Sequence, residues 1–276
     1  MKKSIVFFYC VIICFCNVWA KNYIDYNIKI LNAQSYLLDA KFDSALVVYK
    51  DAFNSVSKPF PKDIDNATLV AYYLDSIDLM THYIKVSIEM GRLFKRVMNK
   101  YRSYYKNREF WNEMKNVSIK TAKRIETESD STYLSLKEMF LNDQKARKSI
   151  FNKEAKMHFV DSLNAIKLNS IVSETYYPGF LTIGIHNAYN EMVITDVLML
   201  HLSVDNYEQL IVNAMIRGEI TPYMACYIFI RQYKANNKTS DEPEVVPDLI
   251  KKCLRYYQGE RYEQLQNKGF DFHGIV

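Results

Sequence analysis

Apolar positions recur along this chain every three or four residues, the spacing of one helical face. From Phe42 they run Phe42, Ala45, Leu46, Tyr49, Ala52, Phe53 and Val56, which a 3.6-residue turn places on a single stripe. Ile24, Ile28, Leu31 and Leu38 mark a preceding helix, and the short Asp39-Ala40-Lys41 link makes the two antiparallel neighbours. Lys58-Pro59-Phe60-Pro61 ends the second helix, because neither proline has a backbone N–H to donate. Between Lys62 and Tyr177 there is no proline, and Gly91 is the only glycine. Strand-rich folds need many turns, so the chain reads as all-α. Two or three long helices are expected over residues 65–127. Leu93, Val97, Tyr101, Tyr104, Trp111 and Met114 form their apolar stripe. Lys95, Arg96, Lys100, Arg102, Lys106 and Arg108 form a solvated face, with a docking surface for an acidic partner as the alternative.

The polar stretch 126–132 interrupts this pattern and places a domain boundary, dividing a helical region 21–128 from a helical domain 129–276. Asp130 or Ser131 is the expected N-cap of the helix that follows. Helices are expected over 134–150 and 155–175, then a turn at Tyr176-Tyr177-Pro178-Gly179. The stretch 188–202 is apolar on almost every side. Asp205 and Glu208 are spaced as a capping box for a helix ending at Gly218. Thr221-Pro222 opens another, continuing to Lys234 through the core. A polar loop over 236–247, a last helix over 248–258 and a tail without period complete the chain.

The first twenty residues, MKKSIVFFYCVIICFCNVWA, read differently. Lys2 and Lys3 precede an apolar run of about a dozen residues, short of the roughly 20 that span a bilayer, and Val18-Trp19-Ala20 is a small-x-small cleavage pattern. The expectation is a signal peptide cut after Ala20 and an exported mature chain, periplasmic or secreted, with no transmembrane anchor. The net charge of +5 includes both leader lysines. The mature balance of about +3 is too small and too dispersed for nucleic acid to be a partner. Of five cysteines, Cys10, Cys14 and Cys16 fall in the leader. Cys226 reads as a small buried hydrophobe, with a disulfide to Cys253 as the alternative.

Ala33, Tyr36, Phe42, Ala45, Tyr49 and Ala52, followed by Pro59, resemble one tetratricopeptide repeat of about 34 residues. Lys29 stands where the early aromatic is expected, and the proline comes late. A single repeat exposes an apolar face, so the resemblance implies that later helices stack on it as a hairpin array leading into a compact helical domain.

In the second half, Asp143-Gln144-x-x-Arg147, Asp161-x-x-Asn164, Tyr177-Pro178, His201, the Gly218-Glu219 break and Arg231 resemble, in order, an uncharacterised and commonly exported bacterial domain family. Leu200 and Ile230 replace polar residues of its pattern. The resemblance implies grouping and fold and carries no reaction.

Asp143 and Arg147 stand four apart, and Asp161 and Asn164 three apart, each pair on one helical face. Asp143, Arg147, Asp161 and His201 are the candidate catalytic set, with histidine as base, an acid orienting it and arginine on an anion. Asn164 and Arg231 are candidate binding residues. The competing reading is a buried polar network with a structural histidine. The sequence has no HExxH, no paired CxxC and no phosphate-cradling glycine loop, so no metal and no cofactor is expected. The functional expectation is a scaffold for a protein or peptide partner in the cell envelope, with an enzyme working through the polar set as the alternative.

Overall fold

The computed structural model describes residues 23–128, 130–173, 175–185, 193–204, 206–237, 246–255 and 258–272. The leader, Asp205, His186 and His273 lie outside them. The chain is all-helical, with fourteen α-helices and no strand among the described residues. No described helix is long and apolar enough to cross a membrane.

The first hairpin follows the apolar spacing. Helix α1 (Tyr23–Leu38) and α2 (Phe42–Ser55) pack together through residues 39–41 and bury Ala33, Leu37, Ala45, Tyr49 and Ala52. Pro61 then occupies the first turn of α3 (Pro61–Tyr73), where its missing N–H leaves no helical bond unmade.

Where two or three helices were expected over 65–127, there are four: α3, α4 (Ile77–Glu89), α5 (Phe94–Tyr101) and α6 (Arg108–Glu128). The first break is at Asp75, which adopts φ +53 although it is not glycine. The Ser76 N–H reaches the Ala71 carbonyl and the Asp75 N–H that of Tyr72, the paired closure of a Schellman cap. Ala40 closes α1 the same way, whereas Gly91, after α4, marks its break with the residue type that favours it. The stripe residues Val97, Tyr101, Trp111 and Met114 are nonetheless buried.

One charge of the expected solvated face turns inward. Buried Asp65 accepts from Arg92 Nη1 at 2.5 Å, Lys100 Nζ at 2.8 Å and the Tyr101 hydroxyl at 2.6 Å, tying α3 to the connection after α4 and to α5. Burial alone would raise the Asp65 carboxyl, but the Arg92 and Lys100 charges hold it below the usual carboxylate range.

In the second half, α7 (Ser131–Arg147) begins at Asp130, whose carboxylate accepts the Tyr133 N–H at 2.8 Å. It pairs with α8 (Lys153–Ile171) as a second hairpin. After the turn come short α9 (Phe180–Ile183), α10 (Ile194–His201) and α11 (Tyr207–Arg217). Then α12 (Pro222–Asn237) starts with Thr221 Oγ1 accepting the Met224 N–H, as an N-cap should. The helix expected over 248–258 stops early: α13 spans only Asp248–Lys252. The tail instead forms α14 (Glu260–Asn267), whose Leu265, with Phe270 and Phe272 beyond it, joins the first half's core. Cys226 and Cys253 form no disulfide with each other and are buried in the second core.

The first helix α1 packs against α11 of the second half, while Phe53 of α2 lies edge-on to Tyr83 of α4. Gly218 ends α11 at φ +78, and a Cβ there would stand 2.4 Å from the Tyr23 ring. Its missing side chain therefore serves both the cap and the approach of α1. Tyr23, Tyr26, Phe60 and Phe180 form one aromatic cluster linking α1, the turn before α3 and α9.

Candidate functional site

Asp143 and Arg147 lie in the last turns of α7 on one face, as their four-residue spacing requires. Arg147 Nε donates to Asp143 Oδ1 at 2.8 Å. Its Nη2 lies 3.1 and 3.3 Å from the two Asp161 oxygens on α8. Because α10 packs against α7, His201 Nδ1 comes within 3.2 Å of Asp143 Oδ2. The four candidate catalytic residues therefore form one connected cluster. Gln144 belongs to it too, donating to Asp143 Oδ2 at 2.8 Å.

The two candidate binding residues stand differently. Asn164 is buried, and its amide donates to the Met139 carbonyl at 3.1 Å, stitching α8 to α7. Arg231 is exposed on α12, and its Nε donates to the Leu200 carbonyl at 3.3 Å, one residue from the histidine. Its neighbour Gln232 is buried and holds that end of α10. Its amide nitrogen donates to the Met199 and Leu202 carbonyls at 2.5 and 2.6 Å, and its oxygen accepts the Val204 N–H at 3.2 Å. This amide fixes where His201 stands.

Asp143 is wholly buried, while the side chains of Arg147, Asp161 and His201 are 23%, 26% and 26% exposed. Burial pushes the Asp143 carboxyl up, but hydrogen bonds from His201 and Arg147 and their charges bring it below its ordinary value. Asp161 is raised: burial and the nearby Asp143 outweigh Arg147. The arrangement gives an imidazole oriented by a buried carboxylate, beside a guanidinium and a second carboxylate that solvent reaches. No hydrogen bond to the opposite ring nitrogen, Nε2, is formed within the described residues. Such a set can exchange a proton or hold an anion, and it can equally lock two hairpin helices to α10.

Two further acids, outside the candidate set, hold the turn after α8 and the helices around it. Asp196 is the one charge in the apolar run 193–200 and accepts the buried Tyr177 hydroxyl at 2.6 Å. Glu219 follows the Gly218 cap. Its carboxylate accepts the N–H groups of Gly179, Leu181 and Thr182 at 3.2, 2.9 and 3.1 Å and the Thr182 hydroxyl at 2.7 Å. Gly179 is needed there, because a Cβ would lie 2.1 Å from the Glu219 carbonyl. The expected turn and the expected helix break are thus clamped to each other. In hindsight the signal was a lone acid inside an apolar stretch.

A third feature is the outer surface of the α7–α8 hairpin. Phe159, Leu163 and Ile166 are 66%, 47% and 72% exposed and recur at helical spacing along α8. Phe159 and Leu163, with Val160, line a groove of about 570 Å³ edged by Lys145, Lys156 and Lys167. Among the described residues no cluster of three His, Cys, Asp or Glu side chains is placed to hold a metal ion. No family model matches this chain, and no curated protein or solved structure matches it either.

Proposed function

We propose that the chain is an exported helical scaffold that docks a protein or peptide segment of the cell envelope, and that the α7–α8 groove is its docking surface. The carrying observation is the solvent-facing stripe Phe159, Leu163 and Ile166 beside three lysines. An exposed apolar stripe at helical spacing fits the apolar face of an amphipathic helix laid along it. The lysines select a partner with carboxylates on the flanks of that face. The tetratricopeptide-like first hairpin and the resemblance of the second half to an exported family support the same reading.

The direct test is fluorescence anisotropy with a labelled amphipathic peptide, leucines on one face and glutamates on the flanks. Binding in the micromolar range that is lost in Phe159→Asp/Leu163→Asp, with the melting curve unchanged, is the expected result. Equal binding of a scrambled peptide of the same composition, or none, overturns it. Export is tested separately: the mature protein should begin at Lys21, and a retained leader excludes that part of the proposal.

The alternative reading, an enzyme acting through Asp143, Arg147, Asp161 and His201, is favoured by one observation, the convergence of all four with three of them reached by solvent. It predicts that a phosphate or carboxylate probe shifts the His201 ring resonances in wild type and not in Arg147→Ala.

A further inference from the structure

Asp196 and Glu219 share a cavity of about 350 Å³ between the two halves of the molecule, in the size range of small-molecule sites. It has no residue in common with the α7–α8 groove. Its walls are the buried rings of Phe60, Phe180 and Phe272, and Tyr223 and Tyr227, 41% and 54% exposed, stand at its rim.

The two acids are not equivalent. Glu219 is saturated, with four donors on its two oxygens. Asp196 is 5% exposed, yet within the described residues its carboxylate receives one hydrogen bond, from Tyr177 to Oδ1. An acid 5% exposed that lines a cavity and receives a single hydrogen bond is an incomplete site, because an ionised acid out of water needs a countercharge and hydrogen bonds. Within the described residues the protein supplies the Tyr177 bond and no countercharge: Lys62, the cation of the lining, is paired with Asp271 at 3.0 Å. That same ammonium lies 5.6 Å from the centre of the Tyr223 ring, so the mouth already holds one ammonium against an aromatic face.

We propose that this cavity binds a small organic ammonium, an amine on an aromatic or short aliphatic body, with its charged nitrogen on Asp196 and its body against Phe60, Phe180 and Phe272. The ligand supplies the donor and charge that Asp196 lacks and the apolar surface that the rings accept. An anionic ligand of the same size would meet two carboxylates and is excluded. A neutral one would satisfy the hydrogen bond without the charge. Burial, with the charge of Glu219 adding to it, pushes the Asp196 carboxyl up to about 7, the mark of an acid without a countercharge.

The experiment is calorimetric titration of the full mature chain with 2-phenylethylamine, 2-phenylethanol and 3-phenylpropionate. The amine should bind about tenfold more tightly than the alcohol or better, a difference of about 1.4 kcal/mol, and the carboxylate should not bind. In Asp196→Asn, which keeps the acceptor for Tyr177, the amine should fall to the level of the alcohol. Equal affinity of amine and alcohol for wild type, undiminished amine binding by Asp196→Asn, or no heat with any probe would overturn the proposal. The wild-type comparison decides the matter even if the variant does not fold.

Discussion

Each half of the molecule holds a buried aspartate between cations, and the two are enclosed in different ways. Around Asp65 the guanidinium of Arg92 is 6% exposed, Ser87 and Tyr101 complete the shell, and Lys100 alone reaches solvent appreciably. Around Asp143, itself wholly buried, every charged partner is about a quarter exposed. The same ionic chemistry thus does two things. At Asp65 it is sealed, tying α3 to α5 and the connection before it. At Asp143 the shell is open, and its guanidinium and imidazole can still meet a solute. The comparison separates a network that can only stabilise from one that can also bind.

The largest expected effect is on the sealed network. Asp65→Ala removes the carboxylate opposite the Arg92 guanidinium, which is 6% exposed, and loss of one partner of a buried pair costs about 3–5 kcal/mol. Chemical denaturation of the variant beside wild type measures it. A loss below about 1 kcal/mol, the usual worth of an exposed pair, would show that the site is solvated after all and end the distinction.

The next effect sharpens the comparison by adding an acid with no cation. Asp65 and Asp143 are held below their ordinary values, so each contributes stability present above the unfolded carboxyl pKa and lost as pH falls through the folded one. Asp196 runs the other way. It is raised from 3.8 to about 7, with Tyr177 and Glu219 as its titratable neighbours. The folded state therefore keeps a proton that the unfolded state releases, and stability falls as pH rises from about 4 to about 7, then levels. At 1.36 kcal/mol per unit the full span is about 4 kcal/mol. Asp196→Asn should abolish that slope and be more stable than wild type at pH 8. Parallel pH profiles for the two proteins would contradict the assignment.

How much of this was legible depended on whether the signal was local. The α1–α2 hairpin, the Asp130 and Thr221 caps and the Gly218 terminus each lie within a few residues of what they determine, and the sequence marks them. The break at Asp75 is equally local but uses an aspartate in a left-handed conformation, a residue type far commoner elsewhere. Helix α14 is mostly polar and buries only Tyr262 and Leu265, too few positions to show a period. Asp143, Arg147, Asp161 and His201 were marked by spacing and order. The Asp65 partners lie 27 to 36 residues away, and Lys100 is indistinguishable in sequence from its solvated neighbours. Pairing across tertiary structure leaves no period to read.

The smallest effects test the open network from within. Arg147→Ala leaves Asp143 buried with His201 and Gln144 as its remaining donors, and Asp143→Ala removes the acceptor that three side chains share. Each should cost about 1–3 kcal/mol, below the Asp65 variant, because Asp143 keeps two donors when Arg147 is lost and water reaches Arg147 and His201 when Asp143 is lost. His201→Ala should cost under about 1 kcal/mol, since Arg147 still neutralises Asp143 and the vacated edge is already solvated. The ordering matters more than any single value. A network built only to stabilise should penalise the loss of each member, so a histidine that can be removed at little cost is placed for something other than stability. If His201→Ala instead destabilises as much as Arg147→Ala in matched melting curves, the open shell is a second structural lock and the contrast with Asp65 reduces to depth of burial. If all three variants melt with wild type, the polar cluster contributes no stability, and its convergence would then be explained by binding or catalysis alone.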